Sequence, residues 1–117
     1  LAAVFFSRFT LPDATVCFML SPMAVATRHQ RQGIGQALIR FGLEQLARKD
    51  VALVVTYGDP AFYGRCGFQA VSQDQIEAPY ALSQPQGWQA VSLSSEPLRS
   101  IPGSTQCVAA FRDPAYW

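Results

Sequence analysis

Chemistry in this chain of 117 residues is concentrated in a few short stretches. The most informative is Gln30-Arg31-Gln32-Gly33-Ile34-Gly35. Glycines let the backbone turn tightly and approach a ligand, and amides at a helix start have no partner inside the helix. The helix dipole favours an anion there by about 0.3–1 kcal/mol, up to about 2 when partly buried. A phosphate or pyrophosphate is the natural guest of such a loop. A Walker loop needs Gly-Lys-Ser/Thr, but Gly35 is followed by Gln36 and Ala37. A dinucleotide fingerprint needs a third small residue where Leu38 stands, and an acidic residue about 20 positions on that is absent here. What remains is the pattern Gln/Arg-x-x-Gly-x-Gly/Ala.

The elements that must hold this loop are legible from periodicity. Residues 1–9 are rich in strand formers and predict a strand, closed by turn chemistry at Leu11-Pro12-Asp13. A second strand is expected from about Thr15 to Val25. Within it Ser21-Pro22 forces a bulge or splay, because proline cannot donate a ladder bond. Residues 26–32 are polar and loop-like, and 33–49 predict a helix. Its apolar residues Ile34, Leu38, Ile39, Phe41, Leu43 and Leu46 cover an arc wide enough for a sheet and a second flanking element. The apolar run 51–57 predicts a strand covered on both faces, hence parallel to its predecessor and central. Strand, helix and strand then form a crossover unit of right hand. Gly58-Asp59-Pro60 turns the chain into a short helix over 61–66, ended by Gly67. Residues 68–71 predict a short strand, 72–88 an aperiodic loop, and 89–94 with 106–111 a final strand pair.

Three signatures in this order resemble the GNAT acetyltransferase superfamily, in a manner similar to a subgroup of predicted bacterial members. They are Leu20-Ser21-Pro22-Met23-Ala24-Val25, the glycine loop, and Gly58-Asp59-Pro60-Ala61-Phe62-Tyr63-Gly64-Arg65-Cys66-Gly67-Phe68. The last resembles the family's Tyr-x-Lys/Arg-x-Gly-Phe signature. The match covers residues 3–70 well and the remainder loosely. It implies an α/β fold with a mixed, mostly antiparallel sheet, a splayed parallel strand pair and a central crossover helix. It also implies a domain, residues 1–117, lacking the family's first strand and two helices. Those helices usually help wall the acceptor site, so the resemblance leaves the acceptor pocket open to question but not the cofactor loop. Their lack could leave a sheet edge or apolar face that a second copy of the chain, in a homodimer, would cover.

The function implied by the resemblance is transfer of acetyl from acetyl-coenzyme A to an amine, with a small molecule as the expected acceptor and no metal. Backbone groups of Met23, Ala24 and Val25 would bind the pantetheine arm and acetyl carbonyl. A backbone amide so aimed is worth about 3–4 kcal/mol in other enzymes. Amides of Arg31, Gln32, Gly33, Ile34, Gly35 and Gln36 would hold the pyrophosphate. Tyr63 matches the family's general acid; a phenol with pKa near 10 is protonated at pH 7 and can donate to a leaving thiolate. The alternative is a tyrosine that merely packs a short helix on the sheet. No general base announces itself. Asp59 reads first as the cap of the helix beginning at Pro60, and His29, the only histidine, as a packing or solvent-exposed residue. Arg65 reads equally as a solvated cation or as a partner of a carboxylate or phosphate, and Cys66 as buried filler. The rival to an enzyme is a non-catalytic coenzyme A-binding or structural remnant of such a domain.

Composition narrows the remaining classes. The length suits one domain, and 50% hydrophobic against 15% charged residues argues against disorder. Nine basic and eight acidic residues leave a net charge of +1, which counts against nucleic acid as a partner. No apolar run approaches the roughly 18 residues of a membrane span, and the start of the chain lacks the basic leader of a signal peptide. Cys17, Cys66 and Cys107 are odd in number and widely spaced, as expected of buried thiols in a reducing, cytoplasmic protein.

Overall fold

The computed structural model describes residues 6–20, 32–114 and 117, with backbone only for 32–34. β1 (Phe6–Thr10) and β2 (Val16–Leu20) form an antiparallel hairpin, with Phe6 opposite Leu20 and Thr10 opposite Val16. The turn between them is set by Asp13, whose carboxylate accepts from the Thr15 amide at 2.9 Å. α1 (Gln32–Arg48) follows, and the chain reverses at Asp50, which takes the left-handed conformation at φ 62°. Aspartate tolerates that region better than most residues. The Val51 amide then bonds back to the Leu46 carbonyl at 3.1 Å. β3 (Leu53–Tyr57) pairs parallel with β2, from Cys17 with Leu53 to Leu20 with Thr56. α2 (Pro60–Gly64), β4 (Gln69–Ala70) and β5 (Trp88–Ser92) complete the elements that position the site.

The sheet order is β1-β2-β3-β5-β4, and β2 with β3 is its one parallel pair among the described residues. The sequence-based mixed, mostly antiparallel sheet with a parallel pair and connecting helix therefore holds. The expected splay at Ser21-Pro22 lies outside the described residues. The final strand pair is corrected. β5 inserts between β3 and β4, so both of its edges are occupied and no partner position is left for 106–111. That stretch instead forms a single bridge from Gln106 to Thr10 of β1 and then a tight turn over Ala109–Phe111.

Alternation along β3 explains the two cores. Side chains of a strand point to opposite faces in turn, and all five β3 residues are buried. Val54 joins Leu20, Ile39, Leu43, Tyr63 and Phe68 beneath α1 and α2. Leu53, Val55 and Tyr57 join Phe9, Met19 and Trp88 on the other face. This second face is covered by the irregular C-terminal half, which supplies Ile76, Ile101, Cys107 and Trp117. The loop expected over 72–88 is thus aperiodic but not peripheral: Ile76 is fully buried, and its carbonyl accepts from the Trp88 indole at 2.8 Å.

α1 lies close on the sheet because the Phe6 ring occupies the space a side chain at Gly42 would need. Its buried stripe is narrower than the sequence suggested. Ile39 and Leu43 are buried, but Phe41 is 61% exposed. α2 flanks the helix on one side, and no described element covers Phe41 on the other.

Candidate active site

The site is built where β3 ends. Gly58 leaves the strand, and Asp59 caps α2 by accepting from the Ala61 amide at 2.9 Å, with Pro60 at the first helical position. This turn throws Tyr63 back over the strand end. Its ring lies so near Gly58 that a Cβ there would come within 2.7 Å of Tyr63 Cε2. Phe62 and Phe68 meet the ring edge-on, with centroids 5.2 and 5.8 Å away. Only 3% of Tyr63 is exposed.

Burial pushes the Tyr63 phenol up to about 12, the Thr56 hydroxyl opposes that shift, and Cys66 and Asp59 add to it. Tyr63 is therefore protonated at any physiological pH and available as a donor. An ordinary thiol ionises near 8.5. The phenol is thus a weaker acid than an ordinary thiol by more than about three orders of magnitude, a gap that burial and its neighbours set.

Two of the few buried polar residues lie at this strand end. Thr56 is fully buried and donates to the Leu20 carbonyl at 3.1 Å. Gln89 stands opposite Thr56 across the β3–β5 pair and is 1% exposed. Its amide nitrogen donates to the carbonyls of Gly58 at 3.2 Å and Gly87 at 3.1 Å. The Gly58 amide donates to the Gly87 carbonyl at 3.0 Å. The turn that carries α2 is thereby tied to the segment leading into β5.

A cavity of about 410 Å³ opens at the same strand end, lined among others by Tyr57, Asp59, Pro60, Ser83, Gln84 and Gly87. Tyr57 forms one wall. The Tyr57 hydroxyl accepts from the Gln84 amide at 2.6 Å and shares a hydrogen bond with Ser83 at 3.1 Å. Trp117 stacks on its ring, with centroids 6.0 Å apart and planes 18° from parallel. Asp59 is the charged residue in the lining.

Of the residues singled out in the sequence, Met23, Ala24, Val25, His29 and Arg31 lie outside the described residues. Gln32, Gly33 and Ile34 form the first turn of α1, and Gly35, next in the helix, is buried. Gln36 follows, and its amide nitrogen is buried with no hydrogen-bond partner among the described residues. Asp59 takes the capping position expected of it. Arg65 is exposed, and its carbonyl accepts from the Arg40 guanidinium at 2.7 Å. Cys66 is buried, as are Cys17 and Cys107, and burial raises its thiol while Arg40 pulls it back.

Residues 4–70 match the model of the GNAT acetyltransferase domain. The chain belongs to the GNAT acetyltransferase family. It is 30% identical over 110 residues to the uncharacterised N-acetyltransferase YjhQ of Escherichia coli K12, covering 89% of this chain and 60% of that protein. It is 30% identical over 84 residues to the uncharacterised N-acetyltransferase YhbS of the same strain, covering 72% of this chain and 50% of that one. The crystal structure of Escherichia coli YhbS in complex with CoA superposes with a TM-score of 0.77 at 26% identity, covering 94% of this chain and 61% of that chain. The GNAT chain described here thus spans about half to three-fifths of the length of these relatives.

Thr56, Tyr57, Ser83, Gln84 and Gln89 escaped the sequence reading of this GNAT domain. Each lies in an apolar strand or an aperiodic loop, and their meeting depends on β5 pairing with β3 across a separation that no local pattern announces. One signal was present: a glutamine and a threonine interrupt otherwise apolar strand runs, and a buried polar side chain implies a specific partner.

Proposed function

We propose that this GNAT chain transfers the acetyl group of acetyl-coenzyme A to the amine of a small molecule. The observation that carries the proposal is the buried, protonated Tyr63 at the carboxyl end of β3, where the turn through Gly58 and Asp59 also walls a cavity bearing a carboxylate. The CoA complex of the similar YhbS supports the choice of cofactor. So does Gln36, whose unpartnered buried amide fits a site that a polar ligand completes.

In this reading the backbone amides from Arg31 through Gln36 bind the pyrophosphate, where the helix dipole favours negative charge. Met23, Ala24 and Val25 present main-chain groups to the pantetheine arm and to the acetyl oxygen. Tyr63 donates its proton to the departing sulfur. The cavity beside Tyr57 receives the acceptor. Its volume of about 410 Å³ suits a small molecule, and Asp59, with no cation in the described lining, favours a substrate that arrives as an ammonium ion. Three buried thiols agree with a reducing, cytoplasmic setting, and no described helix is long and apolar enough to cross a membrane. A second copy of the chain is proposed to cover the side of α1 that carries Phe41, which sedimentation equilibrium tests directly.

The deciding experiment follows thiol release from acetyl-coenzyme A with ethanolamine, 2-phenylethylamine and putrescine as acceptors. Acetylated amine forming in step with free thiol is the expected result. Coenzyme A at about 100 times its Kd should also stabilise the fold by about 2.7 kcal/mol in thermal unfolding. Stabilisation without thiol release would mark a binding module, and neither effect would mark a structural domain.

A further inference from the structure

We propose that Thr56 is the positioning residue of Tyr63: its hydroxyl holds two alternative acceptors, the Leu20 carbonyl at rest and the Tyr63 oxygen once the phenol has given up its proton. The proposal rests on Tyr63 acting as the general acid. Three observations carry it. Thr56 is fully buried in a strand that is otherwise apolar up to Tyr57, so its hydroxyl is retained against the cost of desolvation. It donates to Leu20 at 3.1 Å, at the last described rung of the parallel pair, where the strands lead into the cofactor loop. By alternation along β3 it shares the face of Val54, which lies in one buried cluster with Tyr63, and the absence of a side chain at Gly58 lets the phenol ring approach.

The proton balance is closed. The acceptor, arriving as an ammonium ion, releases one proton to solvent before it attacks; the neutral amine then loses one more on forming the amide, and the coenzyme A sulfur gains one on leaving. Tyr63 gives its proton to that sulfur and becomes a phenolate. Thr56 turns its O–H from the Leu20 carbonyl to the phenolate oxygen. The proton shed by the acceptor nitrogen restores the phenol, and Thr56 swings back. No other reagent is consumed. A threonine suits this because its O–H reorients about the Cβ–Oγ bond while the branched side chain stays fixed in a packed wall, whereas valine keeps the shape and loses the donor. The direction of the Thr56 effect on the phenol, towards the ionised form, agrees with the role. Asp59 and Cys66 push the other way, with Arg40 beside Cys66.

The test is a kinetic cycle of Thr56→Val, Tyr63→Phe and the double variant, with thiol release from acetyl-coenzyme A as readout. The most active of the three amines serves as acceptor probe, and water does so where none is turned over. Thr56→Val should lower kcat roughly 10- to 100-fold, as for one hydrogen bond to a charged group, and leave KM for acetyl-coenzyme A unchanged. Thr56→Ser should restore most of the rate. In the Tyr63→Phe background Thr56→Val should cost nothing further. Equal losses in both backgrounds, or a loss confined to KM, would overturn the role of Thr56 while leaving Tyr63 as the acid. An undiminished kcat in Tyr63→Phe would remove both. Independently of turnover, the ionisation of Tyr63 followed by ¹³Cζ NMR should begin at higher pH in Thr56→Val than in the parent and Thr56→Ser; coincident curves would overturn the proposal.

Discussion

Tyr63 is placed by packing and made useful by polarity. Two aromatic edges and the chain at Gly58 hold its ring, and burial keeps its proton on. Replacing it by phenylalanine retains every apolar contact and removes only the donor. Tyr63→Phe should therefore bind coenzyme A as the parent does and lose about 10²- to 10⁴-fold in kcat, the usual share of a general acid. Calorimetric titration with coenzyme A and steady-state rates of thiol release check the two halves separately. A parallel loss of affinity would instead mean that the ring is needed to shape the site.

Between elements, the critical connection is the one Gln89 makes. A single amide nitrogen, buried in β5, holds the carbonyls at Gly58 and Gly87. Gln89→Leu preserves volume but strips the donor from the Gly58 carbonyl and leaves Gly87 with the Gly58 amide alone, at a cost of about 1–3 kcal/mol. Urea unfolding should register that loss, and the cavity wall beyond it should loosen enough to raise KM for the amine more than KM for acetyl-coenzyme A. Elements of this kind show where sequence was informative. Gly33–Lys49 and Val51–Tyr57 announced α1 and β3 through strong periodicity and a continuous apolar run, and their observed bounds differ by one or two residues. Tyr63, Asp59 and the start of α1 were legible because local motifs carry them. Gln106–Phe111 misled because its strand-like composition serves to bury Cys107 against the sheet rather than to form a ladder. The cavity was illegible for a related reason: Tyr57 and Ser83 meet through a loop with no period at all.

For the molecule as a whole, buried ionisable groups tie stability to alkaline pH. Burial raises Cys17 to about 12 from an ordinary 9.0, and Tyr63 to about 12 from 10.0. In each case the unfolded chain releases its proton first. Over the window between the two values the native state binds more protons, and stability falls as pH rises. The contribution of both groups is complete below about pH 9 and is lost progressively towards pH 12. Urea unfolding at a series of pH values from neutral to about pH 11 should show this decline. Cys17→Ala should flatten its onset, whatever the variant does to stability at neutral pH. An unchanged slope would mean that Cys17 ionises as freely in the native state as in the unfolded one.

Thr56 and Tyr57 are consecutive in β3, and one step of the pleat sends the first towards the phenol and the second into the cavity. The phenol and the cavity are thus separated by the thickness of a single backbone. A slip of β3 by one residue would exchange the two inward-facing sets and misdirect both at once. Alignment of β3 with β2 and β5 therefore decides which face each of these residues serves, and pairs as remote as Val54 with Val91 guard it.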